Sequence, residues 1–94
     1  MSQPVFHVVL WTEGADINFE LGLEGAIALR ADADRLAQAY QAVRPVGAGC
    51  QLRVGVLELP APHPDLDHPS PLTTIAVEAV IAQLYAFYGA TKAP

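Results

Sequence analysis

The chain has 94 residues, a net charge of −5 from ten carboxylates against five basic residues, and a single cysteine. That size leaves no room for a second core, that charge offers no basic surface to nucleic acid or to an anionic membrane, and one cysteine forms no intramolecular disulfide. The negative charge is also too mild and too dispersed for a surface that imitates nucleic acid.

Hydrophobic residues make up 52% of the chain and charged residues 16%, against about 25% charged in an average soluble domain. A small body has much surface to cover, so so few charges predict an exposed apolar patch of the kind that marks an interface. Sixteen alanines weigh the other way, because they raise the apolar count while burying little area. The expectation is a homo-oligomer, most simply a homodimer. Scarce lysine beside abundant Ala, Pro, Gly and Arg reads as a bacterial coding sequence of high GC content. The opening Met-Ser-Gln-Pro lacks the basic and apolar regions of a signal peptide. Residues 75–90 are interrupted by Glu78 and Gln83 and fall short of a membrane span. A cytoplasmic protein is expected.

Residues 5–11 (VFHVVLW) are β-branched and aromatic and predict a strand. Nearly every position is apolar, so both faces require cover and the strand belongs at the centre of a sheet. Residues 13–16 (EGAD) have the Gly and Asp of a tight turn. Ile17, Phe19, Leu21 and Leu23 then alternate with Asn18, Glu20, Gly22 and Glu24, the period of a half-buried strand that completes an antiparallel hairpin. Ile27 and Leu29 keep the odd register past Gly25. Either 17–30 is one strand with a glycine bulge, or 22–25 is a turn and 26–30 a third strand; usual strand lengths favour the second.

Asp32 is suited to cap a helix that runs to about Arg44, where Pro45 stops it. Ala33, Leu36, Ala37, Tyr40 and Val43 fall on one side of it, and Asp34, Arg35, Gln38 and Gln41 on the other. A loop at 47–49 leads to a strand at 51–59 (QLRVGVLEL). Residues 60–71 (PAPHPDLDHPSP) contain five prolines, which forbid a helix or an internal strand and favour an ordered, extended loop. A last helix is expected over 72–89, with Ser70 as N-cap, Pro71 at the first position and Gly89 past the end. Val77, Val80, Ile81, Leu84, Phe87 and Tyr88 form its bulky face. Ala76, Ala79, Gln83, Ala86 and Ala90 form a second, mostly small-residue stripe. A helix apolar nearly all round requires burial nearly all round, so that stripe is the expected contact with a second copy. Residues 91–94 read as a frayed tail. The fold expected is one α+β domain over 1–94, with a three- to four-stranded, mostly antiparallel sheet and two helices on one face, in the order ββ(β)αβα.

His63, Asp65, Asp67 and His68 offer the mixed nitrogen and oxygen ligands that suit a divalent transition metal such as zinc, manganese or iron. Their spacing matches no ligand framework. The competing reading has both aspartates in local turns to backbone N–H groups and both histidines at the surface. His7, Trp11 and Glu13 share one face of the first strand and form a candidate binding group, although a lone strand histidine is more often an interior, hydrogen-bonded residue. Cys50 has no basic neighbour closer in sequence than Arg53 and reads as a small apolar residue. The chain has no phosphate-binding glycine loop, no Gly-x-Ser-x-Gly elbow, no Cys-x-x-Cys and no His-Glu-x-x-His, so nucleotide-dependent and serine-hydrolase chemistry are not expected.

No cofactor is expected apart from that metal. The leading functional reading is a small non-enzymatic binding or interaction protein that works as a homo-oligomer, with no nucleic-acid and no membrane partner. It would offer the proline loop or the open face of its sheet to a protein partner or a small apolar ligand. One alternative is a small metal-dependent enzyme built on the 63–68 loop, with His7 completing its site. The other is a structural assembly subunit, with an extensive apolar interface and no useful pocket.

Overall fold

The computed structural model of the chain describes residues 4–14, 18–22, 24–44, 49–61 and 70–89. Its elements are β1 (Val5–Glu13), β2 (Asn18–Leu21), α1 (Arg30–Val43), β3 (Gln51–Leu59) and α2 (Thr74–Gly89). They form an α+β fold with an antiparallel three-stranded sheet in the order β2-β1-β3. β1 takes the centre, where its apolar run is covered on both faces: Val5, Phe6, His7, Val8 and Leu10 are all buried. The registers Val8↔Val56 and Trp11↔Phe19 fix the two faces. Phe6, Val8, Leu10, Leu52, Val54 and Val56 share one, and Val5, His7, Val9, Trp11, Phe19 and Leu57 share the other.

α1 covers the first face with Ala33, Leu36, Tyr40 and Val43, the stripe its sequence sets out. α2 packs on α1, and Val77, fully buried, carries it into the common core. Val8, Leu10, Ile27 and Leu36 fill the middle, each worth roughly 1.5–3 kcal/mol of burial. Two polar ties hold the N-terminal half of α2. Thr74 donates to the Asp32 carboxylate at 2.7 Å, and Arg35 reaches Glu78 at 3.4 Å.

Four local features differ from the sequence-based expectation. Residues 26–30 form no third strand. β2 ends at Leu21, and Ile27 makes only single bridges, antiparallel to Phe6 and parallel to Leu72. Gly25, at φ 92°, turns the chain out of the ladder in a conformation that side chains disfavour. α1 begins two residues before Asp32, with extended Leu29 as its uncapped N-cap, and Asp32 lies buried in the first turn, committed to Thr74 and Arg35. A carboxylate there still meets the positive end of the helix.

α2 starts at Thr74 because the residues before it have tertiary partners. Leu72 exchanges backbone hydrogen bonds with Ala26 and Ala28, and the cap falls to Thr73, whose hydroxyl accepts from the Ala76 N–H. Finally, the alternation of β2 does not bury its odd side. Phe19 is 71% exposed, because β2 is an edge strand and its odd residues point away from the helices.

Candidate functional site

Where β2 ends, two glycines let the chain double back. The Gly22 N–H donates to the Val8 carbonyl at 2.7 Å, and a Cβ on Gly22 would collide with the Glu24 carboxylate. With Gly22 and Gly25 on either side, Glu24 folds inward to 9% exposure, beneath α1. There it accepts a 2.8 Å hydrogen bond from the Tyr40 hydroxyl. Tyr40 lies on the buried stripe of α1, one turn from its end. Arg44 follows the helix and grips the Glu20 carboxylate on β2 with both terminal nitrogens, Nη2 to Oε2 at 2.9 Å.

The electrostatics follow from this geometry. Burial pushes the Tyr40 phenol far above its ordinary value of 10.0, and the negative charge of Glu24 and the hydrogen bond to it push the same way. The hydrogen bond from Arg44 holds the Glu20 carboxyl below its ordinary value of 4.5, against the smaller effect of partial burial. Glu20 in turn raises the Arg44 guanidinium.

An open groove of about 740 Å³ lies over these residues. α2 gives it an apolar wall of Val80, Leu84, Phe87 and Tyr88, with Gln83 at the rim. Glu20, Glu24, Tyr40 and Arg44 give it the opposite, polar wall. A smaller cleft of about 120 Å³ lies behind the Glu20–Arg44 pair, against Trp11, Asn18 and Leu52. An apolar wall facing a few fixed polar groups is the usual composition of a small-molecule site.

The residues singled out from sequence are placed as follows. Trp11 Nε1 donates to Glu13 at 3.3 Å, and Glu13 also receives Arg53 at 3.3 Å. His7 is fully buried and lies about 13 Å up the strand from Trp11, so the three do not form one group. The candidate metal ligands His63, Asp65, Asp67 and His68 lie outside the described residues. Among the described residues no three His, Cys, Asp or Glu side chains are grouped to hold a metal ion. Ala79, Gln83 and Ala86 are exposed on α2 and Ala76 is half-exposed, while Ala90 lies outside the described residues. Phe87, expected on the buried face, is 71% exposed, because its place on the helix turns it toward the groove and away from α1.

Sequence reasoning missed Glu24, Tyr40, Glu20 and Arg44 as a group. One signal was present: a tyrosine on the buried stripe of a helix needs a partner for its hydroxyl, and Glu24, between two glycines, can turn inward to supply it. No protein-family model matches the chain, and no curated protein or solved structure is similar to it at a significant level.

Proposed function

We propose that this is a non-enzymatic binding protein whose groove takes a small, partly apolar molecule. The observation that carries the reading is the pairing of walls: Val80, Leu84 and Phe87 on one side and a fixed Tyr40–Glu24 and Arg44–Glu20 array on the other. Every arginine already faces a carboxylate, which speaks against a polyanionic partner. No helix among the described residues is long and apolar enough to cross a membrane. The cytoplasmic assignment belongs to the same reading and rests on the lone cysteine. The test is a titration with the uncharged dye N-phenyl-1-naphthylamine. Its emission should rise on binding, fall at least threefold in Phe87→Ala, and persist in Phe19→Ala, which removes an equally exposed ring away from the groove. An unchanged signal in Phe87→Ala would sink the reading.

A second reading, self-association, is favoured by the outer side of α2. Ile75 is 81% exposed and Tyr85 49%, along a ridge completed by Ala79, Ala82 and Ala86. An antiparallel pairing centred on Ala82 sets that alanine against its own counterpart, Ala79 against the second copy's Tyr85 and Ala86 against its Glu78, so a small residue stands at each of these contacts. A contact through one helix face is expected to fall near the roughly 1,000 Å² lower limit of specific interfaces, so the dimer should dissociate on dilution. Light scattering behind size exclusion should give a mass that rises with loading, and Ile75→Asp should hold it at one chain with an unaltered circular dichroism spectrum. A wild-type mass of one chain at 100 µM and above sinks it.

A further inference from the structure

We propose that the outer edge of β3 takes an extended segment of a partner protein as a further, antiparallel strand of the sheet, with a basic side chain opposite Glu58. The hydrogen-bond pattern shows which groups that edge offers. Phe6 exchanges backbone hydrogen bonds with Ile27, and the Val8 carbonyl accepts from Gly22. The even residues of β1 therefore turn to the β2 side, and its odd residues turn to β3. Their partners in the ladder, Gln51, Arg53, Gly55, Leu57 and Leu59, direct both backbone groups at β1. Leu52, Val54, Val56 and Glu58 direct theirs outward. The Leu52 carbonyl accepts from Gln41 Nε2 at 3.0 Å, and the rest of that row has no backbone partner among the described residues.

An edge of this length is ordinarily guarded by a bulge, a charge or a covering segment. β3 instead keeps register with β1 through all nine of its residues. Arg53, its basic residue, turns back over the sheet to Glu13 and Gln51. Two features then define the strand that fits, by the general mode in which a sheet edge captures an extended chain. Val54 and Val56 are half-buried on the α1 side, so apolar side chains belong opposite them. Glu58 is exposed on the same side, with no ion pair or hydrogen bond to another described residue, whereas Glu13, Glu20, Asp32, Asp34 and Glu78 each face an arginine. A second copy answers this edge poorly. Paired antiparallel about Gly55, it sets Leu52 against Glu58 and leaves the carboxylate without a cation.

The probe is the peptide acetyl-Lys-Thr-Val-Thr-Val-Thr-Val-amide, whose antiparallel register places lysine opposite Glu58 and valines opposite Val56 and Val54. Its binding is followed by anisotropy of a dye at its C-terminus. Methylating the three valine nitrogens blocks donation to β3 and should weaken binding at least tenfold. Glutamate in place of the lysine should weaken it at least threefold, and Glu58→Lys should erase that preference. Val56→Pro deletes an outward N–H while sparing the ladder to β1, and should also cost at least threefold. Phe87→Ala should bind the peptide as the unaltered protein does, which separates the edge from the groove; a loss there overturns the edge assignment. No binding at about 1 mM, equal binding of the methylated peptide, or a lysine preference that survives Glu58→Lys overturns it as well. A two-chain mass without peptide that Val56→Pro reduces to one chain would give the edge to a second copy instead.

Discussion

The ring and the hydroxyl of Tyr40 serve different ends. The ring fills the core with Leu36 and Leu10, while the hydroxyl reaches the Glu24 carboxylate. Removing the hydroxyl leaves a buried carboxylate without its phenol donor, so Tyr40→Phe should cost about 1–3 kcal/mol in urea unfolding. Glu24→Gln keeps an acceptor for the phenol and should cost less; the reverse order would show that the pair does not bear on stability. The pH dependence has a definite sign. Because folding raises the pKa of Tyr40, its contribution is complete below 10.0 and is lost as pH climbs above that value. Melting temperatures between pH 8 and 11 should therefore fall less steeply in Tyr40→Phe than in the unaltered protein. The Glu20–Arg44 pair works in the opposite direction. Folding lowers the pKa of Glu20, so its contribution is present above 4.5 and lost as pH falls below it. Glu20 is 47% exposed, and water reduces the value of the pair to about 0.5 kcal/mol. Glu20→Gln should accordingly be nearly silent at pH 7, and a loss of more than about 1 kcal/mol would mean the pair is better shielded than its exposure indicates.

Among the elements, β3 and α1 were legible because each carries one period along its length, and β1 because its unbroken β-branched and aromatic run demands cover on both faces. The stripe of α1 was right almost residue for residue, since four positions at helical spacing admit one packing face. The segment after β2 was not legible. Its odd register continues through Ile27 and Leu29, yet the chain leaves the ladder at two glycines for a tertiary reason, the Glu24–Tyr40 bond sixteen residues away in sequence. The start of α2 was missed in the same way, because Leu72 pairs with Ala26 and Ala28 and no local signal announces it. α2 leans on one deeply buried side chain. Val77→Ala should lower stability by about 2–3 kcal/mol, or roughly 8–20 °C in melting temperature for a domain this size. The tie at its first turn can be tested separately. Asp32→Ala removes the acceptor of Thr74 and should cost about 1–3 kcal/mol, while Thr74→Val, which leaves Asp32 with Arg35, should cost less.

For the whole molecule, composition foretold an apolar patch; the large apolar side chains left exposed among the described residues are Phe19, Leu29, Leu57, Ile75, Tyr85 and Phe87, spread over the sheet's outer face, the N-terminus of α1 and α2. What composition could not say is where it would lie, since that depends on which flank of α2 turns toward α1. The pairing of each arginine also bears on partners as a class. The protein is expected to pass through a heparin column at physiological salt, and retention there would show a cationic surface that these ion pairs do not provide. The sheet order sets one further condition, on synthesis. β1 is made before β3 and takes the central place, so half of its pairing waits for β3, with Val5 opposite Leu59. At about 5–20 residues per second, the ribosome adds the intervening stretch in roughly 3–10 seconds. For that interval VFHVVLW is a nascent segment with one edge unpaired, open to pairing with the same segment of a neighbouring chain.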